Sequence, residues 1–199
     1  MKKQDTENVS VSKNLLSDTE IVQSVLDGNV DDFATLIVRY EEKLRRYIMR
    51  ISKISKEDAD DILQDIFIKV YYNLADFDTN MSFSAWVYRI ARNETISRYR
   101  KDSVRLHGNS VHIDDEILKN LMKDDSDVID KILEEEVREK IEEAVNNLDS
   151  KYKDVIILRY FEDKDYLEIA DILQIPTGTV STLLHRAKKK LKEELKAYE

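Results

Sequence analysis

Apolar residues recur along most of this chain three and four positions apart, which is helical spacing and not the two-residue period of strands. Ser17 and Glu20 form a capping pattern that predicts a helix start, and Gly28 can end that helix. Ser55 and Asp58 give a second start signal. The predicted buried positions of the first four helices are Ile21, Val22, Val25 and Leu26; Phe33, Ile37, Tyr40, Leu44, Tyr47, Ile48 and Ile51; Ala59, Ile62, Leu63, Ile66, Phe67, Val70, Tyr71 and Leu74; and Phe83, Trp86, Val87, Ile90 and Ala91.

This pattern divides the chain into two helical parts. Residues 1–16 are polar and are predicted to be disordered, and residues 17–102 are predicted to form one helical bundle. Residues 103–127 lack a clean period and are acidic, which indicates a flexible linker. Helical spacing returns over residues 128–199, which are predicted to form a second bundle. The predicted fold class is therefore all-α, with two small helical bundles joined by a flexible acidic linker.

The last part of the chain has the pattern of a helix-turn-helix. A first helix would bury Leu167, Ile169, Ala170 and Leu173, a turn follows at 174–176, and a second helix would begin at Thr177. The second helix has an apolar stripe of Val180, Leu183, Leu184, Ala187 and Leu191. Its outer face carries Ser181, Thr182, His185, Arg186, Lys188 and Lys189, and no acid occurs between Thr177 and Lys192. Such a helix fits the major groove of DNA, although a solvated surface helix is the plainer alternative.

Charge along the chain is unevenly distributed. Residues 107–150 contain fourteen acids and five bases, an excess equal to the net charge of −9 of the whole chain. Seven bases and two acids lie between Arg39 and Lys56, and six bases and two acids lie between Phe83 and Arg105. Two basic surfaces separated by one acidic segment indicate two domains that face nucleic acid.

Composition excludes several classes of protein. With no cysteine there is neither a disulfide nor a thiolate metal site, and the three histidines His107, His112 and His185 do not form a metal-binding pattern. No run of 18 apolar residues and no signal peptide is present, so the chain is not expected to be a membrane protein and is expected to be cytoplasmic. We expect no metal and no cofactor.

Two surfaces of the first bundle are unusual. The outer face of the third predicted helix combines acidic and amide side chains with an apolar one. It is formed by Asp61, Gln64, Asp65, Ile68 and Tyr72. Such a mixture is typical of a protein-binding surface. The fourth interleaves aromatics with arginines outside its buried stripe, at Tyr88, Arg89, Arg92, Asn93, Ile96, Tyr99 and Arg100, with Phe77 just before it. Such mixtures bind unpaired bases. A solvated face and structural tyrosines are the respective alternatives.

Three motifs together resemble bacterial RNA polymerase sigma factors of the two-domain extracytoplasmic-function (ECF) type. Residues 59–71 (ADDILQDIFIKVY) resemble the family's polymerase-binding helix, and residues 83–93 (FSAWVYRIARN) resemble its promoter-melting helix. Residues 176–180 (PTGTV) and 184–188 (LHRAK) resemble its reader of the minus 35 element. The resemblance covers residues from about 18 to 191, apart from the linker.

The resemblance implies a role for each surface. Asp61, Gln64, Asp65, Ile68 and Lys69 would bind the β′ clamp helices of core RNA polymerase, and the β subunit would also be a partner. Tyr88, Arg89 and Arg92 would hold the melted minus 10 strand, with Phe77 and Asn93 at a pocket for one flipped base. Promoter DNA at minus 35 would be read by Thr177, Thr179, Ser181, Thr182, His185, Arg186, Lys188 and Lys189. The resemblance also implies an anti-sigma factor, which in this family is often a membrane protein.

The sequence departs from the family pattern in two respects, and two rival functions are alternatives to the sigma factor. Gln174 stands where the family usually has glycine in the turn, which implies a strain of about 1 kcal/mol if the residue is left-handed. Ser181 and Leu183 stand where the family commonly has basic residues, so base preference at minus 35 does not transfer. One rival is a stand-alone helix-turn-helix regulator, although the net negative charge opposes unaided DNA binding. The other is a magnesium-dependent nucleotide hydrolase that uses Glu136, Glu139, Glu142 and Glu143, although helical glutamate runs are usually solvated surface.

Overall fold

The computed structural model describes residues 16–52, 54–105, 141 and 143–195, and every regular element in those ranges is helical. The helices whose bounds lie within those ranges are α1 (Asp18–Leu26), α2 (Phe33–Ser52), α3 (Lys56–Tyr72), α4 (Phe83–Arg105), α5 (Ser150–Ile156), α6 (Tyr166–Leu173) and α7 (Thr177–Leu195). Residues 143–147 are helical as well. Two 3₁₀ turns lie at Val30–Asp32 and Leu74–Asp76, and α5 continues into a π-helical turn at Ile157–Phe161. The all-α fold class is confirmed. Residues 1–15, most of the predicted linker and residues 128–140 lie outside the described residues.

The N-terminal half is a bundle in which α2, α3 and α4 pack against one another. Its helix starts are set by local side-chain chemistry, as predicted. The Ser17 hydroxyl accepts from the N–H of Glu20, whose carboxylate accepts in turn from the N–H of Ser17, so both parts of the capping box are present. The Ser55 hydroxyl caps α3 by accepting from the N–H of Asp58. These caps satisfy backbone donors that have no partner within the helix.

The C-terminal half places α7 across α5 and α6. A capping box of Asp165 and Glu168 starts α6. Buried Val180, Leu184 and Ala187 on α7 form the predicted apolar stripe. The two halves share one continuous hydrophobic core, because α4 of the first half packs against α6 of the second. This contact determines which surfaces remain open to other molecules.

Some predicted core positions are wrong. Leu26, Tyr71 and Leu167 are exposed, whereas Leu36 and Ile172 are buried. The helical repeat predicts which face of a helix is buried, but at the edge of the apolar stripe it is accurate only to about one residue, since neighbouring positions differ by about 100° around the axis. Ile37, Ile51, Phe67, Ile90 and Leu173 are partly buried, at the margin of the core.

Tyr47 carries a polar atom in the middle of this core. Its side chain is 0% exposed, and within the described part of the chain its hydroxyl has no hydrogen-bond partner. Burial raises the pKa of the Tyr47 hydroxyl well above its ordinary value. A hydroxyl that loses water and gains no partner costs about 1–3 kcal/mol of folding free energy.

We therefore expect Tyr47→Phe to raise the free energy of unfolding by about 1 kcal/mol. The matched control is Tyr40→Phe, because the Tyr40 hydroxyl donates to the Asp18 carboxylate. That control should lower stability by about 1 kcal/mol. Urea unfolding followed by circular dichroism measures both changes, and destabilisation by both variants would contradict the interpretation of Tyr47.

Candidate functional site

The outer face of α7 is open and carries every predicted minus 35 residue. All eight are exposed: Thr177, Thr179, Ser181, Thr182, His185, Arg186, Lys188 and Lys189. The first turn of α7 is closed by the N–H groups of Thr179 and Val180, which both donate to the carbonyl of Pro176. A polar start and a cationic end thus lie on one solvent-facing side of a fixed helix, the arrangement that major-groove binding needs.

The turn before α7 fixes its direction at a cost in strain. Gln174 has left-handed backbone angles, φ 56° and ψ 47°, and the next N–H, of Ile175, donates to the carbonyl of Ala170 at 3.1 Å. A side chain in this conformation costs about 1–2 kcal/mol relative to the right-handed region, which explains why glycine is favoured at such turns. The strain considered from the sequence is therefore present.

The residues predicted to bind polymerase lie together on α3. Asp61, Gln64, Ile68 and Lys69 are exposed, and the side chain of Asp65 is 48% exposed. Ile68 is an apolar side chain that is 54% exposed, and Tyr72, one turn further on, is 79% exposed. An acidic face with exposed apolar groups at its centre is typical of a surface that another protein covers.

Two ion pairs attach this face to α4. Arg98 donates to Asp65 at 3.1 Å, and Lys69 pairs with Glu94. Both pairs are partly or largely open to water, so each contributes little to stability. Their effect is to hold the side chains of Asp65 and Lys69 toward α4, which leaves Asp61, Gln64 and Ile68 as the freer part of the surface.

The predicted minus 10 residues divide into open and covered groups. Asn93 is exposed, and Arg89 and Arg92 are partly exposed. Phe77 is only 8% exposed and packs against Phe83 and Trp86, with ring centroids 5.5 and 5.3 Å away. The resemblance places Phe77 at the pocket for the flipped base, yet its ring is covered in this structure, because the loop turns the ring inward to complete the aromatic core.

The ring of Tyr88 is covered as well. It was predicted to lie outside the buried stripe of α4, yet it is 1% exposed. The C-terminal half covers it: the Tyr88 hydroxyl donates to Glu162 at 2.7 Å, and Lys164 lies 4.3 Å from the centre of its ring. Periodicity within one helix could not show this second contact, because the covering residues come from a distant part of the chain.

Sequence reasoning also missed the charged residues of this contact. Arg92 donates to Asp154 from Nε at 3.1 Å and from Nη2 at 2.5 Å, and Arg50 donates to Glu162 at 2.9 Å. Burial raises the pKa of the Glu162 carboxyl, although Tyr88 and Arg50 oppose the rise. Burial lowers the pKa of Lys164. The charged side chains of Arg50, Arg92, Asp154, Glu162 and Lys164 therefore form a seam between the two halves at the face of α4.

Comparison with known proteins identifies the class from these two halves. Residues 36–105 match the family described as Sigma-70 region 2, and residues 138–191 match the family described as Sigma-70, region 4. These are the segments that carry the α3 and α4 surfaces and the helix-turn-helix. The fold and its surfaces thus define a sigma-70 type transcription initiation factor.

Similar proteins identify the family more closely. The ECF RNA polymerase sigma factor SigW of Bacillus subtilis is 34% identical over 183 residues, which cover 88% of this chain and 95% of that protein. The ECF RNA polymerase sigma-E factor of Escherichia coli K12 is 30% identical over 176 residues, with 87% and 91% coverage. This chain belongs to the ECF family of RNA polymerase sigma factors. It directs promoter-specific transcription initiation and is not an enzyme.

Solved structures agree with the fold. The sigma factor RpoE of Bartonella quintana, determined with the anti-sigma factor NepR, aligns with a TM-score of 0.62 and 25% identity over 83% of this chain and 97% of that one. CnrH, determined with the cytosolic domain of CnrY, aligns with a TM-score of 0.66 and 24% identity over 92% and 99%. Neither rival function is favoured by these comparisons. In the described ranges, no helix is long and apolar enough to cross a membrane.

Proposed function

We propose that the two halves divide the work of promoter recognition. Residues 17–102 would act as region 2, which binds core polymerase and the minus 10 element, and residues 128–199 would act as region 4, which binds the minus 35 element. Residues 103–127 would be the linker between them, and residues 1–16 a disordered N-terminus. The matches to region 2 and region 4 support this division.

Core polymerase is proposed to bind the outer face of α3. Its clamp helices in β′ would contact Asp61, Gln64, Asp65, Ile68 and Lys69, and the β subunit would be a further contact. The exposed Ile68 supports this role, since an apolar side chain surrounded by acids and an amide gains most from being covered.

The minus 10 strand is proposed to bind α4. Tyr88 would stack on an unpaired base, Arg89 and Arg92 would bind the backbone, and Asn93 would contact the flipped base. Phe77 would support the pocket from beneath, because its ring belongs to the aromatic core. In this arrangement the Tyr88 ring is covered, so strand capture requires the C-terminal half to move away.

The minus 35 duplex is proposed to bind α7. Thr177, Thr179, Ser181 and Thr182 would lie at base edges near the helix start, and His185 with Arg186 would lie deeper along the groove. Lys188 and Lys189 would bind phosphates. The Tyr160 ring beside Lys188, 5.7 Å from its Nζ, favours the charged ammonium, and a hydrogen bond to Tyr160 raises the pKa of Lys188.

The protein is further proposed to act in the cytoplasm under an anti-sigma factor, which in this family is often a membrane protein. The similar sigma factor RpoE of Bartonella quintana was determined in complex with the anti-sigma factor NepR, which supports the idea. Affinity purification of the tagged chain from uninduced cells should recover such a partner in near-equal amount. Recovery with core polymerase alone would count against it.

The observation that carries the proposal is the open face of α7, which has no acid from Thr177 to Lys192, in the same chain as the α3 surface. Run-off transcription with core polymerase on genomic promoter DNA tests it. Start sites that require the added chain should share sequence near minus 35 and minus 10. Start sites identical with and without the chain would sink the proposal.

A further inference from the structure

One side of α2 carries a row of cations to which the proposed sites give no role. Arg39, Lys43, Arg46 and Arg50 stand four, three and four residues apart, so they lie along the same side of the helix. They belong to the basic segment between Arg39 and Lys56, for which the sequence predicts contact with nucleic acid. The structure shows which of them are open to a partner.

The ends of this row are paired, whereas its middle is open. Arg39 pairs with an acid of α1, and Arg50 pairs with an acid of the C-terminal half. Lys43 is exposed and forms no ion pair with a described residue. Arg46 is 51% exposed and meets only the exposed carboxylate of Glu42, at 3.7 Å. Such a pair contributes little, so the two middle cations are available to a further anion.

Ring contacts place this open middle beside the start of α4. The Tyr40 ring lies 5.5 Å from the ring of Phe83, the first residue of α4, and the Tyr47 ring lies 5.0 Å from the ring of Tyr88. The stretch of α2 between the two tyrosines therefore runs alongside the first turns of α4. The two open cations belong to that stretch.

Electrostatic effects show that both cations lie near the side chain of Tyr88. Glu162 and Lys164 contact the hydroxyl and the ring of Tyr88. Burial lowers the pKa of Lys164, and the charge of Lys43 adds to that lowering. Burial raises the pKa of the Glu162 carboxyl, and the charge of Arg46 is among those that oppose the rise. Lys43 and Arg46 thus lie at the edge of the surface proposed to hold the minus 10 strand.

The chemistry of this edge fits the backbone of a single DNA strand. Side chains three positions apart on a helix have Cβ atoms about 5–6 Å apart, close enough for long cations to reach neighbouring phosphates. Each cation that neutralises a phosphate releases counterions, which favours binding. A strand held on α4 has further phosphates beyond the bases in contact with α4, and the nearest open cations beside that surface are those of α2.

We propose that Lys43 and Arg46 bind backbone phosphates of the melted strand where it leaves α4, so that the site for single-stranded DNA extends over α2. The inference rests on the proposed capture of the minus 10 strand by α4. The contact on α2 is independent of base sequence, because a phosphate carries no base information. It adds affinity for the strand next to the minus 10 element.

The test uses holoenzyme assembled from core polymerase and the full chain, with three fluorescein-labelled single strands. The shortest strand covers only the minus 10 element of a promoter mapped by run-off transcription, and the other two extend it by a few nucleotides on the 5′ or the 3′ side. The double variant Lys43→Gln, Arg46→Gln removes both cations. The matched control, Lys56→Gln with Lys192→Gln, removes two exposed cations from α3 and α7.

We expect the double variant to bind the shortest strand as wild type does. It should bind one of the two longer strands at least about tenfold more weakly at about 0.1 M salt. For that strand, the slope of log affinity against log salt concentration should decrease in magnitude by about 1.4, or about 0.7 for each lost phosphate contact. The control should bind all three strands as wild type does.

Three results would overturn the inference. The first is wild-type binding of both longer strands by the double variant. The second is an equal loss on all three strands, since it shows no added contact outside the minus 10 element. The third is weaker binding of labelled double variant to core polymerase with unchanged strand binding, which would assign this side of α2 to the polymerase.

Arg89→Ala in the same holoenzyme tests the proposed minus 10 site separately. It should weaken binding of all three strands, because Arg89 lies on α4 and is proposed to bind the backbone within the element. If it does so while the double variant has no effect, the minus 10 assignment stands and the extension over α2 is wrong. Binding that is insensitive to Arg89 would contradict the assignment itself.

Discussion

Replacing Asp65 with arginine is expected to weaken binding of core RNA polymerase by at least about 30-fold, or about 2 kcal/mol. Asp65 lies at the centre of the α3 face, between the exposed side chains of Asp61 and Ile68. The substitution removes an acid from a proposed interface, adds a cation, and places that cation beside Arg98, its former partner at 3.1 Å. Like charges at such a contact are repulsive.

The affinity of fluorescently labelled chain for core polymerase measures this effect, and run-off transcription should fall in parallel. Asp31→Arg is the matched control, since Asp31 is an exposed acid of the same half outside the α3 face. The control should bind as wild type does. Equal losses of affinity in both variants would indicate a general effect of the added positive charge and not a specific surface. An unchanged affinity in Asp65→Arg would contradict the assignment of the α3 face to polymerase binding.

Local signals in the sequence identified most of the fold because they act over a few residues. The capping patterns at Ser17 and Ser55 both form as predicted. The helix-turn-helix was recognisable because Pro176 marks a boundary and the stripe on α7 is regular; Val180, Leu184 and Ala187 are all buried. The α7 face followed directly, since a residue opposite a buried stripe must be exposed unless something else covers it.

The condition that nothing else covers the residue explains which burial predictions from the sequence were wrong. Leu167 was assigned to the core of α6, yet it is 67% exposed, because Ile172 occupies the buried side instead. Tyr88 was assigned to the outer face of α4. It is buried because Glu162 and Lys164 reach it from the other half and because the Tyr47 ring of α2 packs against it, with ring centroids 5.0 Å apart. A pattern confined to one helix carries no information about a contact 74 residues away.

The buried charges of the seam could not be predicted from the sequence for a related reason. Asp154 and Glu162 look like ordinary surface acids in the sequence, and acids are rarely buried unless they are paired. Their partners, Arg92 and Arg50, were interpreted as nucleic-acid ligands or as part of a basic surface. Only the folded chain shows that the same arginines satisfy these acids.

Charge reversal on α7 should have the second large effect. Arg186→Glu is expected to reduce run-off transcription at least about tenfold on promoters that depend on the minus 35 element, because it replaces an exposed cation of the proposed DNA face with an acid. The helix itself should be unaffected, since Arg186 lies outside the buried stripe of Val180, Leu184 and Ala187.

The comparison that decides this prediction uses two templates and one control variant. Lys56→Glu reverses an exposed cation at the start of α3 and should transcribe both templates as wild type does. On a template whose minus 35 element has been scrambled, Arg186→Glu should differ little from wild type, because that contact is already lost. An equal deficit on both templates would place Arg186 in polymerase binding, since only a residue that acts through the minus 35 duplex loses its effect when the duplex sequence is removed.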